Sequence, residues 1–447
     1  MSTPSTKHLI TIDHPEVGDR AVTFRWAVEP PTRLYKKSEF TLNFPLGLDL
    51  AAVPAGVWWR IAILCLHSHW PLLAPCRIDL PIGLLPGEAE LWLRLMRAQM
   101  NSLSTYGDGS NARPEIEIIA RGPASAPLAI EDSGRCGTAF SGGKDSLLQT
   151  GLLAELTERP LLVTTTSQMP LLEDHLTERR RQVLEEVTRR APVQLVEVES
   201  DYRANLYHGF AQDLGYQVSV NEITDVFLYL GALIAVGAAL KVTHLFVASE
   251  LEVQENISLN NEVVQHSHFM YSVATLSAVS ELMKNWGMDC SSLTAALHSY
   301  QVQELLTKRY PHLLDLQYSC WRVRAGEAAC NSCSQCLRIA FSLLSMGRRP
   351  STIGLNLGRI LRTTRKWQPS RLDRSATSMR PPLFPREIVS ARLHAQVMRS
   401  ILATRKTDVV SEVGLTPSKR LPLAGRWLAL ASYWRLLRIA KRYNPGP

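Results

Sequence analysis

The sequence predicts an α/β protein: a parallel, doubly wound sheet preceded by an α+β module and followed by a basic, mostly helical segment. Three observations predict it. From Gly137 onward, short apolar runs alternate with helical stretches, the order of βαβ units in a parallel sheet. Before that point, strand-like runs follow one another with a single helical stretch among them. After residue 347 the chain carries 21 Lys and Arg against 4 Asp and Glu, although its overall net charge is only +8. At 447 residues the chain is too long for one small core. The implied divisions are 1–133, 134–347 and 348–447.

In the first division HLITI, AVTFRWAV, EFTLNF and VWWRIAILCLH read as strands, residues 88–100 as a helix, and EIEIIARG as a further strand. His67 and His69 close an apolar run and are expected to be packed or hydrogen-bonded rather than catalytic. The module is expected to recognise substrate, and residues 110–133 approach its boundary. The second division opens with the strand GTAF, the turn SGGKDS and a helix over 146–156. It continues with strand PLLVTTT, helix 171–190, strand VQLVEVE, helix 222–240 and strand HLFVAS. In such sheets ligands gather at the carboxyl ends of the strands, which selects SGGKDS and the stretch after Ser249. The apolar run 226–240 falls short of the roughly 20 residues of a membrane span and reads as a buried helix. The polar first residues do not read as a secretory signal, so a cytoplasmic protein without a transmembrane segment is expected. The third division holds amphipathic stretches at 391–404 and 425–442. Its basic surface suits nucleic acid, an anionic membrane or a phosphorylated substrate, or simply a solvated face.

SGGKDS carries the most specific chemistry. Gly142 and Gly143 permit backbone angles closed to other residues and a close approach of the chain to an anion. The N–H groups of the turn and the positive end of the following helix then face that anion. Ser141 and Ser146 add hydroxyl donors and Lys144 a point charge. Asp145 is unexpected in a purely anion-binding turn, so it is a candidate for Mg²⁺ coordination or for organising the loop. The pattern is not the G-x-x-x-x-G-K-[ST] loop of kinases and GTPases. It resembles the PP-loop of the N-type ATP pyrophosphatase superfamily, whose fold is the adenine nucleotide α-hydrolase-like sheet. That resemblance implies ATP and Mg²⁺ as cofactors, with the loop residues 141–146 holding the pyrophosphate that leaves when a substrate oxygen attacks the α-phosphate.

Four of the eight cysteines crowd together as Cys320, Cys330, Cys333 and Cys336. Four converging thiolates make a closed tetrahedral Zn²⁺ site, which is structural. An iron–sulfur cluster is the rival reading, but the fourth cysteine and proline that follow C-x₂-C-x₂-C in ferredoxins are replaced by Leu337-Arg338-Ile339-Ala340. The stretch SCW…ACNSCSQCLR resembles the zinc segment of the QueC-like branch of the same superfamily. Together the resemblances span residues 137–340.

Between loop and cysteines lie ASELEVQENI and VQHSHFMYSA. Glu250, Glu252, Glu255 and Asn256 can bind metal or substrate, whereas His266, His268 and Tyr271 can move protons, or simply brace the loop. In size and layout the chain also resembles the MurL family, ATP-dependent epimerases of peptidoglycan synthesis. That resemblance implies adenylation of the terminal L-Glu of UDP-MurNAc-L-Ala-L-Glu, removal of its α-proton by a base such as His266 or His268, and D-Glu as product. Lys144, Asp145, Glu250 and Tyr271 would complete that site, and the partner would be a UDP-linked small molecule. A QueC-like amide- or nitrile-forming synthase and a tRNA-modifying enzyme, with the basic C-terminus on RNA, are the alternatives.

Overall fold

The computed structural model describes residues 7–104, 115–123, 129–167, 174–216, 218–250, 256–259, 262–265, 269–297, 299–320, 323, 327–346 and 348–364. The chain opens with β1 (His8–Ile12), β2 (Glu16–Val17), β3 (Ala21–Glu29) and β4 (Glu39–Asn43). From Val22 to Trp26 in β3, and throughout β4, every second residue is buried, as a strand with one face on a core requires. Next come α1 (Ala55–Leu66), β5 (Cys76–Leu80), α2 (Glu88–Ser104) and β6 (Ile116–Ala120). The βα alternation then runs β7 (Cys136–Ala139), α3 (Lys144–Leu156), β8 (Leu161–Ser167), α4 (Asp174–Arg190), β9 (Gln194–Ser200), α5 (Phe210–Asp213), α6 (Asn221–Ala239) and β10 (His244–Phe246). A hairpin of β11 (Asn256–Leu259) and β12 (Glu262–Gln265) precedes α7 (Val273–Met283) and β13 (Asp289–Ser291). Four helices follow: α8 (Ser299–Arg309), α9 (Pro311–Leu314), α10 (Ser334–Ser345) and α11 (Leu357–Thr364).

The protein is α/β with one large mixed sheet in the order β13-β10-β7-β8-β9-β4-β3-β1-β5-β6, and β2 pairs with β3. The five strands from β13 to β9 are parallel throughout; four of them are the parallel strands the sequence predicts, and β13 is added to them. The sheet as a whole is not parallel. β4 lies antiparallel to β9, with Leu42 opposite Ser200, so the N-terminal strands extend the same sheet. An unpaired β9 would present a row of open N–H and C=O groups, and β4 covers that edge. Within the parallel half the chain winds outward from β7 in both directions, first through β8 and β9 and then through β10 and β13. Strand order therefore reverses between β7 and β10, where open sheets of this kind form a ligand crevice beyond the strand ends.

Two apolar cores cover the two faces. One joins the N-terminal strands, α1, α2, α6 and α7; the other joins Phe140, Leu147 and Leu148 to Val183, Val302 and the cysteine segment. The run expected as a buried helix is α6, with Val226, Phe227, Leu228 and Leu230 fully buried. Among the described residues no helix is long and apolar enough to cross a membrane. VWWRIAILCLH is a helix and not the strand its composition suggests. Residues Val57 to Leu66 of α1 are buried all round, packed against α6, so the run lacks the one-sided period that separates helix from strand. His67 and His69 follow α1 and are packed and hydrogen-bonded as expected: His67 Nδ1 meets Leu64 O at 2.8 Å, and His69 Nδ1 meets the Tyr202 hydroxyl at 2.6 Å. Burial pushes them down to about 4 and about 3.

The one charge inside α1 is answered across the core. Arg60 donates from Nε and Nη2 to the two oxygens of Glu88 at 3.1 and 2.7 Å, and both side chains are almost wholly buried. Glu88 also accepts from Trp92 Nε1 and the Leu85 amide. Arg60→Met is expected to cost about 3–5 kcal/mol, because it leaves a buried carboxylate without its cation. Adding Glu88→Met should recover most of the loss. Equal urea midpoints for single and double variants would contradict this. The predicted helices at 391–404 and 425–442, like the rest of 365–447, lie outside the described residues.

Candidate nucleotide cavity and cysteine cluster

β7 delivers the chain to Phe140 and Ser141, and α3 begins at Lys144, so the turn between them is Ser141-Gly142-Gly143. Gly142 takes φ +76°, where a side chain is strained, and a Cβ there would lie 3.2 Å from Val183 Cγ1. The Gly142 carbonyl accepts from the Tyr318 amide at 2.7 Å, which fastens the turn to the segment leading to the cysteines. Gly143 caps α3 without any side-chain cap, so the first amides of the helix keep their donor capacity for an incoming anion. Ser146 Oγ donates to the Gly143 carbonyl at 3.0 Å. The Ser141 and Gly143 amides reach Ser146 Oγ and Ser141 Oγ only at 3.4 Å. Bonds of that length are weak, and a stronger acceptor displaces them readily.

Lys144, 3% exposed, points at two carboxylates: Nζ donates to Asp145 Oδ1 at 2.7 Å and forms a short contact with Glu250 Oε1. Burial pulls the ammonium down, but the charges of Asp145 and Glu250 outweigh it and its pKa is raised. Burial, and then the Glu250 charge, push the Asp145 carboxyl up to about 7 against the pull of Lys144. Glu250 stands just beyond β10. The Ser249 amide before it donates to Ser292 Oγ and Thr294 Oγ1 at 3.1 and 3.0 Å, which ties this strand end to the exit of β13.

These groups face a cavity of about 400 Å³ at the strand-order reversal. Ser141, Asp145, Ser146, Glu250 and Tyr271 line it, so the structure gathers the predicted loop, the predicted acid and one of the three predicted proton carriers. Lys144 lies behind the wall rather than in it. His266, His268, Glu252 and Glu255 fall outside the described residues, and of Asn256 only its place in β11 is described. The lining also includes side chains that the sequence reading passes over: Arg180 of α4, Tyr229 of α6, Tyr318 and Gln335. Asp145 and Glu250 bring two carboxylates against one ammonium, a donor set of hard oxygens that fits Mg²⁺.

The cysteine cluster is assembled. The four sulfurs of Cys320, Cys330, Cys333 and Cys336 lie within 4.8 Å of one another. Sγ of Cys336 is 3.4 Å from that of Cys333 and 3.9 Å from that of Cys330. A tetrahedron with metal–sulfur bonds of about 2.3 Å places its sulfurs about 3.8 Å apart, so the group can hold a metal ion and is compatible with structural zinc. Hydrogen bonding with Cys320 and Cys336 holds the Cys333 thiol below its ordinary value. Backbone amides of Cys330 and Cys336 donate to the sulfurs of Cys320 and Cys333. Asn331, at φ 55°, shapes the turn; its side chain accepts from the Asn356 amide at 2.7 Å and so anchors the residues entering α11. No family model, curated protein or solved structure matches the chain.

Proposed function

We propose that the chain is an ATP-dependent enzyme that forms AMP and PPi, activating a carboxylate as an acyl adenylate. Its substrate in this reading is UDP-MurNAc-L-Ala-L-Glu, whose terminal L-Glu it inverts to D-Glu. The observation that carries the adenylation reading is the placement of SGGKDS. The turn joins β7 to α3 where strand order reverses, with an uncapped helix start and the Asp145 and Glu250 carboxylates beside one cavity. The substrate itself rests on the resemblance in size and layout to the MurL family.

The chemistry follows from charge. An α-carboxylate holds its α-proton too tightly for a side chain to remove. Attack of a carboxylate oxygen on the α-phosphorus breaks the bond to the β-phosphate oxygen, leaving an acyl-AMP and PPi. The amides of the turn and of the first turn of α3 receive the charge that develops on the leaving group. Asp145 and Glu250 would hold Mg²⁺, which screens the phosphate charge. In the neutral acyl group the α-proton is acidic enough for a base, for which His266, His268 and Tyr271 are the candidates. Return of a proton to the opposite face gives the D configuration, and water then releases AMP. Zinc in the four-cysteine cluster would hold the segment that carries Tyr318 and Gln335 against the loop.

The test is incubation with UDP-MurNAc-L-Ala-L-Glu, ATP and Mg²⁺ in D₂O. AMP, PPi and D-Glu bearing deuterium at the α-carbon are expected. AMP without exchange would retain the adenylation and remove the epimerase; no AMP would remove this substrate and the epimerase with it.

A further inference from the structure

The loop lysine is the cation a sequence reader assigns to the phosphates, but its charge is already committed. Lys144 meets two carboxylates, is buried, and does not line the cavity. With Asp145 and Glu250 both ionised, that trio presents net negative charge to an incoming polyanion. A second cation does line the cavity. Arg180 sits on α4 one turn before Val183, the residue that packs on Gly142. Its Nη2 donates to the Thr165 carbonyl at 2.6 Å and contacts Thr164 Oγ1, which fixes the guanidinium at the carboxyl end of β8. Among the described residues it makes no ion pair, and the carboxylate of Glu197 on β9 favours its charge only from beyond ion-pair distance. Burial pulls its pKa down, yet a guanidinium stays charged in a protein. A desolvated cation held by neutral oxygens and open to a cavity is costly until an anion enters.

We propose that Arg180, rather than Lys144, is the side chain that grips the phosphate oxyanions of the bound nucleotide. In this division of labour Lys144 sets the Asp145 and Glu250 carboxylates in place, while the α3 amides and the Arg180 fork close on the anion from two sides. The inference rests on the ATP reading of the same cavity. It assigns the site a ligand class, the polyphosphate oxyanion.

Calorimetric titration of the full chain with inorganic pyrophosphate, ATP and adenosine tests it. Arg180→Gln is expected to weaken pyrophosphate and ATP about 10- to 100-fold, the range of a charge-assisted fork, and to leave adenosine unchanged. Arg180→Lys, which keeps the charge and loses the fork, should fall between the two. In the wild-type chain, pyrophosphate should protect Arg180 from phenylglyoxal as read by peptide mass, a measurement that stands even if a variant misfolds. Wild-type affinity in both variants, or absent protection, overturns the role of Arg180 while the ATP reading survives. A wild-type chain that binds neither ATP nor pyrophosphate overturns both.

Discussion

Lys144→Met is expected to lower stability at pH 8 by about 3–5 kcal/mol, and to lower AMP release at least about a hundred-fold. The ammonium is buried between Asp145 and Glu250, and an apolar side chain in its place offers neither carboxylate a charge or a hydrogen bond. Two carboxylates then face one another in a site that already pushes Asp145 up to about 7. The sign of the pH dependence follows. A carboxylate whose folded pKa lies above its unfolded value of about 3.9 binds more protons in the native state. Its ionisation therefore erodes stability as pH rises from about 4 through the folded value. In the wild-type chain Asp145 contributes such a loss up to about pH 7. Without Lys144 the folded value climbs further, so the gap between variant and wild type should narrow as pH falls from 8 to about 7 and level off below that, where Asp145 is protonated in both native states. Adding Asp145→Asn to Lys144→Met should restore part of the stability at pH 8, because it removes the repulsion, but none of the AMP release. Thermal or urea transitions at several pH values check this; a gap constant from pH 5 to pH 8 would show that the lysine does not hold the two carboxylates.

What the sequence made legible is local, and what it hid depends on distance or on helix phase. SGGKDS can be read because a strand end, two glycines and a helix start lie within ten residues of one another. Glu250 can be read because it is the first charged residue after an apolar strand. Arg180 cannot. It is the middle of Arg179-Arg180-Arg181 in a charged helix, and only the phase of α4 against the sheet decides which of the three turns inward. Tyr229 is hidden in the same way within the apolar run of α6. Tyr318 reaches Gly142 across a separation that no local pattern encodes. VWWRIAILCLH reads as a strand because burial on every side of α1 erases periodicity, and the β4–β9 pairing, which turns a parallel sheet into a mixed one, joins residues far apart in the chain.

Both readings of the loop turn on which charges remain available once the chain has folded. A motif supplies residue types, whereas the fold decides which of them meet a ligand and which meet each other. Lys144 and Arg180 are both cations near one turn. The first is enclosed by carboxylates; the second is held by a carbonyl and a hydroxyl and faces open space.

The second large effect is expected at the cysteines. Cys330→Ser and Cys336→Ser should each abolish a bound equivalent of zinc and cost about 4–5 kcal/mol or more, the range reached when a structural metal is lost. The cost should stay below the ~10–16 kcal/mol that zinc supplies to peptides lacking any other core, because Leu313, Leu343 and Ile339 pack around the cluster here. Nucleotide binding should weaken as well. Tyr318 holds the Gly142 carbonyl and lies two residues before Cys320, and Gln335 lines the cavity one residue before Cys336. Loosening the cluster therefore loosens one wall of the cavity. Cys136→Ser, at a half-buried position in β7 outside the cluster, should leave metal content unchanged. Metal analysis of the purified chain and thermal transitions before and after chelation read the first two effects, and calorimetric titration with ATP reads the third. Iron with visible absorption in place of zinc would sink the zinc assignment. Full metal content in Cys330→Ser would show that the four sulfurs do not act as one site.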